Sequence, residues 1–274
     1  MRRVFPLVLF VATIVTLAFL VVPIVAIFLR VPPGDLVDAL GSEVARDALI
    51  VTLETTVVAQ VLILAFGTPT AYLLANRRFP GHSLAITLIE LPLVLPPAVA
   101  GIGLLATFGR LGLLGSSFSA LGIEIALTKV AVVLAVMFVA GPFYIRTAVA
   151  AFADVDPTLT DAARTLGAGP ARTFGRVALP LALGGLGAGA ALSFARGIGE
   201  FGATIMFAGS LQGVTQTLSL AVYEQFDVNF DTALAIGAEL VVASAAVLLA
   251  VKLVPSWRRS TSTFPTVSAT SASS

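Results

Sequence analysis

From Phe5 to Leu29 the chain runs 25 residues without one charged side chain. About 20 apolar residues suffice to cross the hydrocarbon of a bilayer as a helix. In lipid the backbone must satisfy its own polar groups, so only helices and closed barrels span it. Further apolar runs lie at about 48–75, 83–108, 128–151, 179–208 and 232–254. The expected fold class is therefore all-α: a polytopic membrane protein of about six transmembrane helices. Charged residues make up 11% of the chain, against about 25% in a soluble domain. The first run is too long for a cleaved signal and lacks a small-x-small cleavage site, so it is read as an uncleaved span.

Lysine and arginine set the orientation, because loops rich in them stay on the cytoplasmic side. With the N-terminus inside, Arg2, Arg3, Arg77, Arg78, Arg146, Arg164, Arg172, Arg176, Lys252, Arg258 and Arg259 fall on the inner side. Arg30, Arg46, Arg110 and Lys129 fall outside, and Arg196 lies within a span. The bias places 152–178 and both termini in the cytoplasm. Residues 1–254 form one membrane domain, and the Ser/Thr-rich segment 255–274 is expected to be a disordered cytoplasmic tail.

Several chemistries are excluded. There is no cysteine and one histidine, His82, so thiolate sites and paired-histidine metal sites are absent. No G-x-x-x-x-G-K-[ST] loop is present, so the chain lacks that means of holding ATP. An intramembrane enzyme would need a nucleophile with its base, a metal cluster or paired aspartates, and no aspartate lies in the core of a span. The net charge of +1 gives no basis for a nucleic-acid partner.

Residues 152–180, FADVDPTLTDAARTLGAGPARTFGRVALP, interrupt the apolar pattern. Asp156 is suited to cap a helix with Pro157 in its first position. TLTDAARTL is helix-compatible, and Gly167 is suited to end it in a left-handed conformation. Gly169 and Pro170 then open a second short helix, and Pro180 marks the start of the next span. The surface of the first helix is built from the small residues Ala162, Ala163 and Ala168, beside Asp161 and Arg164, and suits insertion into another protein's groove. An ordinary solvated loop has the same local signals.

This segment resembles the EAA loop of permease subunits of ABC importers, whose pattern is E-A-A, three residues, G, nine residues, I-x-L-P. Here Asp161-Ala162-Ala163, Gly167, Val177, Leu179 and Pro180 stand at the same spacing, with Asp for Glu and Val for Ile. ELPLVLPPAVAGIGLL (90–105) and SFARGIGEFGATIMFAG (193–209), followed by TQTLSLAVY, resemble permeases of the molybdate, tungstate and sulfate importer group, most of all its molybdate/tungstate branch. The resemblance covers roughly 48–255. It implies the type I ABC importer permease fold, with Asp161, Ala162, Ala163, Arg164, Leu166, Gly167 and Ala168 as contacts to a separate ATPase. It also implies two ATPase copies holding ATP and Mg, a second copy of this chain, an extracytoplasmic oxyanion-binding protein, and a pore in the cell membrane. No cofactor and no metal is expected in this chain.

Within the spans, Pro92, Pro96 and Pro97 must disrupt the third helix, since each removes a backbone donor and its ring clashes with the preceding turn. The carbonyls so freed need protein or water partners, which makes Pro96 and Pro97 pore candidates or the site of a packing kink. In the fifth span Gly197, Gly199 and Gly202 surround Glu200, with Arg196 one turn earlier. Pro180 to Glu200 is about 30 Å if helical, so Glu200 is expected near the outer end. Ionisable residues inside a membrane are functional candidates. Arg196, Gly199, Glu200 and Gly202 are accordingly gate candidates, the alternative being an ion pair that fixes helix packing. Glu54, Gln60 and Glu90 receive no role, and TQTLSLAVYEQF (215–226), outside, is read either as a re-entrant or surface helix that receives the substrate-binding protein or as a plain connector.

The expected function is that of the membrane subunit of an ATP-driven molybdate or tungstate importer. The alternatives are a sulfate/thiosulfate importer permease and, from another class, a stand-alone secondary carrier, which would have no use for an ATPase-docking loop.

Overall fold

The computed structural model describes residues 4–32, 34 and 41–253, and among these all regular structure is helical. The tail at 255–274, Arg2, Arg3, Arg258 and Arg259 lie outside the described residues. The helices are α1 (Val4–Arg30), α2 (Glu43–Asn76), α3 (His82–Val94), α4 (Pro97–Phe108), α5 (Gly115–Ala120) and α6 (Lys129–Ala153). After them come α7 (Pro157–Thr165), α8 (Pro170–Ile198), α9 (Gly202–Ala208), α10 (Leu218–Phe226) and α11 (Phe230–Leu253).

Five of these, α1, α2, α6, α8 and α11, are long and apolar enough to cross a membrane. The sequence expectation of one helix over 83–108 needs correction. Pro96 has no N–H and Pro97 occupies the first helical position, so the helix stops at Val94 and restarts at Pro97. The two halves meet at 115°, and together they are apolar enough to make a sixth segment, as a broken span or a re-entrant loop.

The expected start of the fifth span at Pro180 also needs correction, because α8 runs unbroken from Pro170. The helix absorbs Pro180 by widening into a π-helical turn at Phe174–Ala178, where the Leu179 N–H donates to the Phe174 carbonyl. A local π adjustment is one of the ways a helix re-satisfies the backbone groups that a proline frees. At the other end α8 stops at Ile198, short of the expected 208, and α9 continues after a break at Glu200.

The core is α6 clasped by α2 and α8. Over half of the most apolar stretch of α6, 56%, is buried, whereas that of α1 is 0% buried and α1 packs loosely against α11. Lipid tails are as apolar as leucine, so helices associate in a membrane through close packing of small residues and through hydrogen bonds. Both occur here. A Cβ on Gly67 would lie 2.9 Å from the Tyr144 ring, and one on Gly189 would lie 3.0 Å from Thr147. The Tyr144 hydroxyl and Thr68 Oγ1 share a hydrogen bond of 2.6 Å, and Ser193 Oγ donates to the Ala140 carbonyl at 3.0 Å. Outside this core, Leu218 and Ala221 of α10 are buried with Ala45, Ala48 and Ile236. Residues 218–226 are thus a docked helix and not a loose connector.

Candidate functional site

Two places carry the sequence-nominated residues, one in the membrane and one beside it. In the membrane the break after Val94 and the break after Ile198 meet. A Cβ on Gly101 would lie 2.5 Å from the Ala203 carbonyl oxygen and 2.8 Å from Met206 Cβ. A Cβ on Gly202 would lie 2.9 Å from Pro97 Cβ. Glycine is required at both positions because backbone approaches backbone there. The sequence shows each break separately but gives no sign that they touch, because the contact is tertiary.

Glu200 joins the two sides of its own break. Its Oε2 lies 2.7 Å from an Arg196 guanidinium nitrogen, one turn back in α8. Its Oε1 accepts the Ala203 N–H at 2.8 Å, in the first turn of α9. The side chain of Glu200 is 1% exposed and that of Arg196 28%, so the carboxylate is fully enclosed and the guanidinium partly open. The Arg196 contact is an ion pair by distance and not a hydrogen bond, since Oε2 has no hydrogen-bond partner among the described residues; the charge-assisted hydrogen bond is the one from the Ala203 N–H, a type about twice as strong as a neutral one. The Glu200 carbonyl accepts Ser219 Oγ at 2.6 Å, and the Leu218 N–H donates to Thr52 Oγ1 at 2.8 Å. The break is thereby tied to α10 and α2. Gly199 has nothing within 4 Å of where a Cβ would stand. Of the nominated residues, Pro97, Arg196, Glu200 and Gly202 come together, and Pro96 caps α4 beside them. Thr52, Gly101 and Ser219 belong to the same cluster. Sequence reasoning missed them because small and hydroxyl residues are common throughout membrane helices.

Beside this cluster an open groove of about 610 Å³ is lined by Ile102, Leu105, Leu127 and Met206, with Arg110 the charged residue along it. Glu54 forms an ion pair with Lys129 at 2.6 Å, and Glu90 lies 3.7 Å from Arg146.

The second place is α7. Asp156 accepts the Thr158 N–H at 2.9 Å, and this hydrogen bond holds its carboxyl below the usual carboxylate range. Pro157 follows in the first helical position. At the other end Gly167 has φ +83°. The Gly167 N–H donates to Arg164 and the Ala168 N–H to Ala163, the two-bond closure of a Schellman motif. Asp161 and Arg164 pair at 3.0 Å, Ala162 is exposed and Leu166 is 88% exposed. A rigid short helix so presented can enter a groove on another protein.

Residues 63–257 match the family described as binding-protein-dependent transport system inner membrane component. The molybdenum transport system permease protein ModB of Mycobacterium tuberculosis is 43% identical over 235 residues, 86% of this chain and 89% of that protein. The sulfate transport system permease protein CysW of Synechocystis is 35% identical over 212 residues, 77% of this chain and 76% of that protein. In fold, the chain resembles a crystal structure of a bacterial alginate ABC transporter with a TM-score of 0.73, at 16% identity, over 91% of this chain and 93% of that one.

Proposed function

The chain belongs to the family of binding-protein-dependent transport system inner membrane components, and from that premise we propose that it is the membrane-spanning subunit of an ATP-driven importer of molybdate or the near-isosteric tungstate. A permease component is not itself the catalyst, and it works with an ATPase and a binding protein. In this reading α7 is the contact to the ATPase, through Asp161, Ala162, Ala163, Arg164, Leu166, Gly167 and Ala168. Its capped ends and exposed surface are the observation that carries the assignment, since a stand-alone carrier has no need of such a helix. ATP and Mg belong to the partner, which is present in two copies.

A second copy of this chain completes the pore, with the termini in the cytoplasm, the binding protein outside and lipid around the spans. The contact of the two breaks, at Pro96, Pro97 and Gly202, lines the gate, with the uncrowded Gly199 next to it. Arg196 and Glu200 fix its shape: the carboxylate is spent on the guanidinium and on a backbone N–H, and passage needs only weak, brief contact with the ion. Closure of the ATPases shifts α7 and rocks the spans between inward-open and outward-open states.

Molybdate is favoured over sulfate because the molybdenum permease is the more similar of the two relatives and covers more of the chain. The test is ATP-driven uptake in vesicles holding the chain, its ATPase and its binding protein. Molybdate uptake blocked by tungstate and indifferent to sulfate is expected. Sulfate uptake would move the chain to the sibling branch, and no ATP-dependent uptake of either ion would contradict the reading.

A further inference from the structure

Helix α7 is nine residues long and hangs between α6 and α8 on the linkers 154–156 and 166–169. Such an element, pushed from outside, would swing on its linkers and leave the spans behind. Where it leans is therefore decisive. It packs against the first turns of α8, and its Thr160 is buried.

Those turns are in turn held by three rings. The Phe174 ring lies 4.7 Å from that of Tyr72, edge to face at 60°. It lies 6.1 Å from that of Phe152. Tyr72 and Phe152 are 5.3 Å apart at 74°. Tyr72 comes from the inner end of α2, Phe152 from the inner end of α6, and Phe174 from the π turn of α8. Edge-to-face rings at these spacings are mutually attractive beyond the area they bury. Phe174 is also fixed through its backbone, because its carbonyl accepts the Leu179 N–H that the π turn redirects.

We propose that Tyr72, Phe152 and Phe174 are a joint that makes α7 and the inner ends of α2, α6 and α8 one rigid body, so that a push on α7 reaches the pore, with Phe174 as its positioning residue. This rests on the reading of α7 as the ATPase contact. Packed side chains and rigid helices are the physical means by which such displacement travels.

The chain has no cysteine, so spin labels placed through Leu73→Cys in α2 and Thr158→Cys in α7 report one distance. In the complex with its ATPase, addition of ATP is expected to change that distance by less than ~1 Å in the otherwise native chain. In Phe174→Ala the change is expected to exceed ~2 Å, the size of known interface helix shifts, while ions taken up per ATP hydrolysed fall about tenfold. Tyr72→Phe keeps the ring and is expected to behave as the native chain. Should Phe174→Ala not assemble, Tyr72→Leu removes the same contact from α2 and is read in its place. An unchanged distance and ratio in the assembled variant would overturn the joint alone. Failure of both variants to assemble would also overturn it, because the rings would then serve folding. A native chain that binds no ATPase would overturn the proposed function and the joint together.

Discussion

Helix α7 and the pair of membrane breaks differ in what holds them in shape. α7 is specified by its own ends: an aspartate and a proline start it, and a glycine in the left-handed region stops it. The breaks are specified by each other, through Gly101 against Ala203 and Gly202 against Pro97, and by a carboxylate that is 1% exposed. The first region is exposed and local, the second buried and tertiary. On the proposed function the difference has a reason: a surface for a partner must keep its form before the partner arrives, whereas a gate takes its form from the spans that move it.

The comparison breaks most readily at the buried pair. Arg196→Met leaves the enclosed Glu200 carboxylate without its counter-charge, a change that costs about 3–5 kcal/mol. A marked loss of thermal stability in detergent is expected, and an unchanged unfolding temperature would show that the pair does not hold the break. Gly101→Ala is expected to come next. Its Cβ would lie 2.5 Å from the Ala203 carbonyl oxygen, backbone that cannot turn away, and overpacking of this kind costs about 1–3 kcal/mol.

The exposed region is expected to respond in the opposite sense. Ala162→Trp falls on an exposed position, so stability should stay within about 0.5 kcal/mol, while ATP-driven uptake is lost. The smallest effect concerns pH. Folding lowers the Asp156 carboxyl from its ordinary 3.8, so the cap is present above that value and fades as pH falls through the depressed one. Binding of the ATPase to detergent-solubilised chain is expected to weaken slightly below about pH 4. Asp156→Asn keeps the acceptor without the titration and is expected to flatten that dependence.

The same division explains what could be read from the sequence. The caps of α7 were legible residue by residue, because Asp156, Pro157 and Gly167 act on their immediate neighbours. The spans α1, α2, α6 and α11 were legible from length and hydropathy. The 115° turn at Pro96 was legible as a disruption but not in its angle, since the proline fixes only its own φ. The continuity of α8 through Pro180 was hidden, because proline favours a helix start as readily as a π turn. The meeting of the two breaks and the ring cluster of Tyr72, Phe152 and Phe174 join residues far apart in the chain, and no local pattern marks them.

The most direct measurement is co-purification of the ATPase with Ala162→Trp, at an exposed position, with thermal unfolding of the same preparation. The expected result is that the ATPase is lost and the chain unfolds at the native temperature, which separates the partner surface from the fold. Retention of the ATPase would contradict the assignment of α7, and loss of the ATPase together with loss of stability would contradict the independence of the two regions.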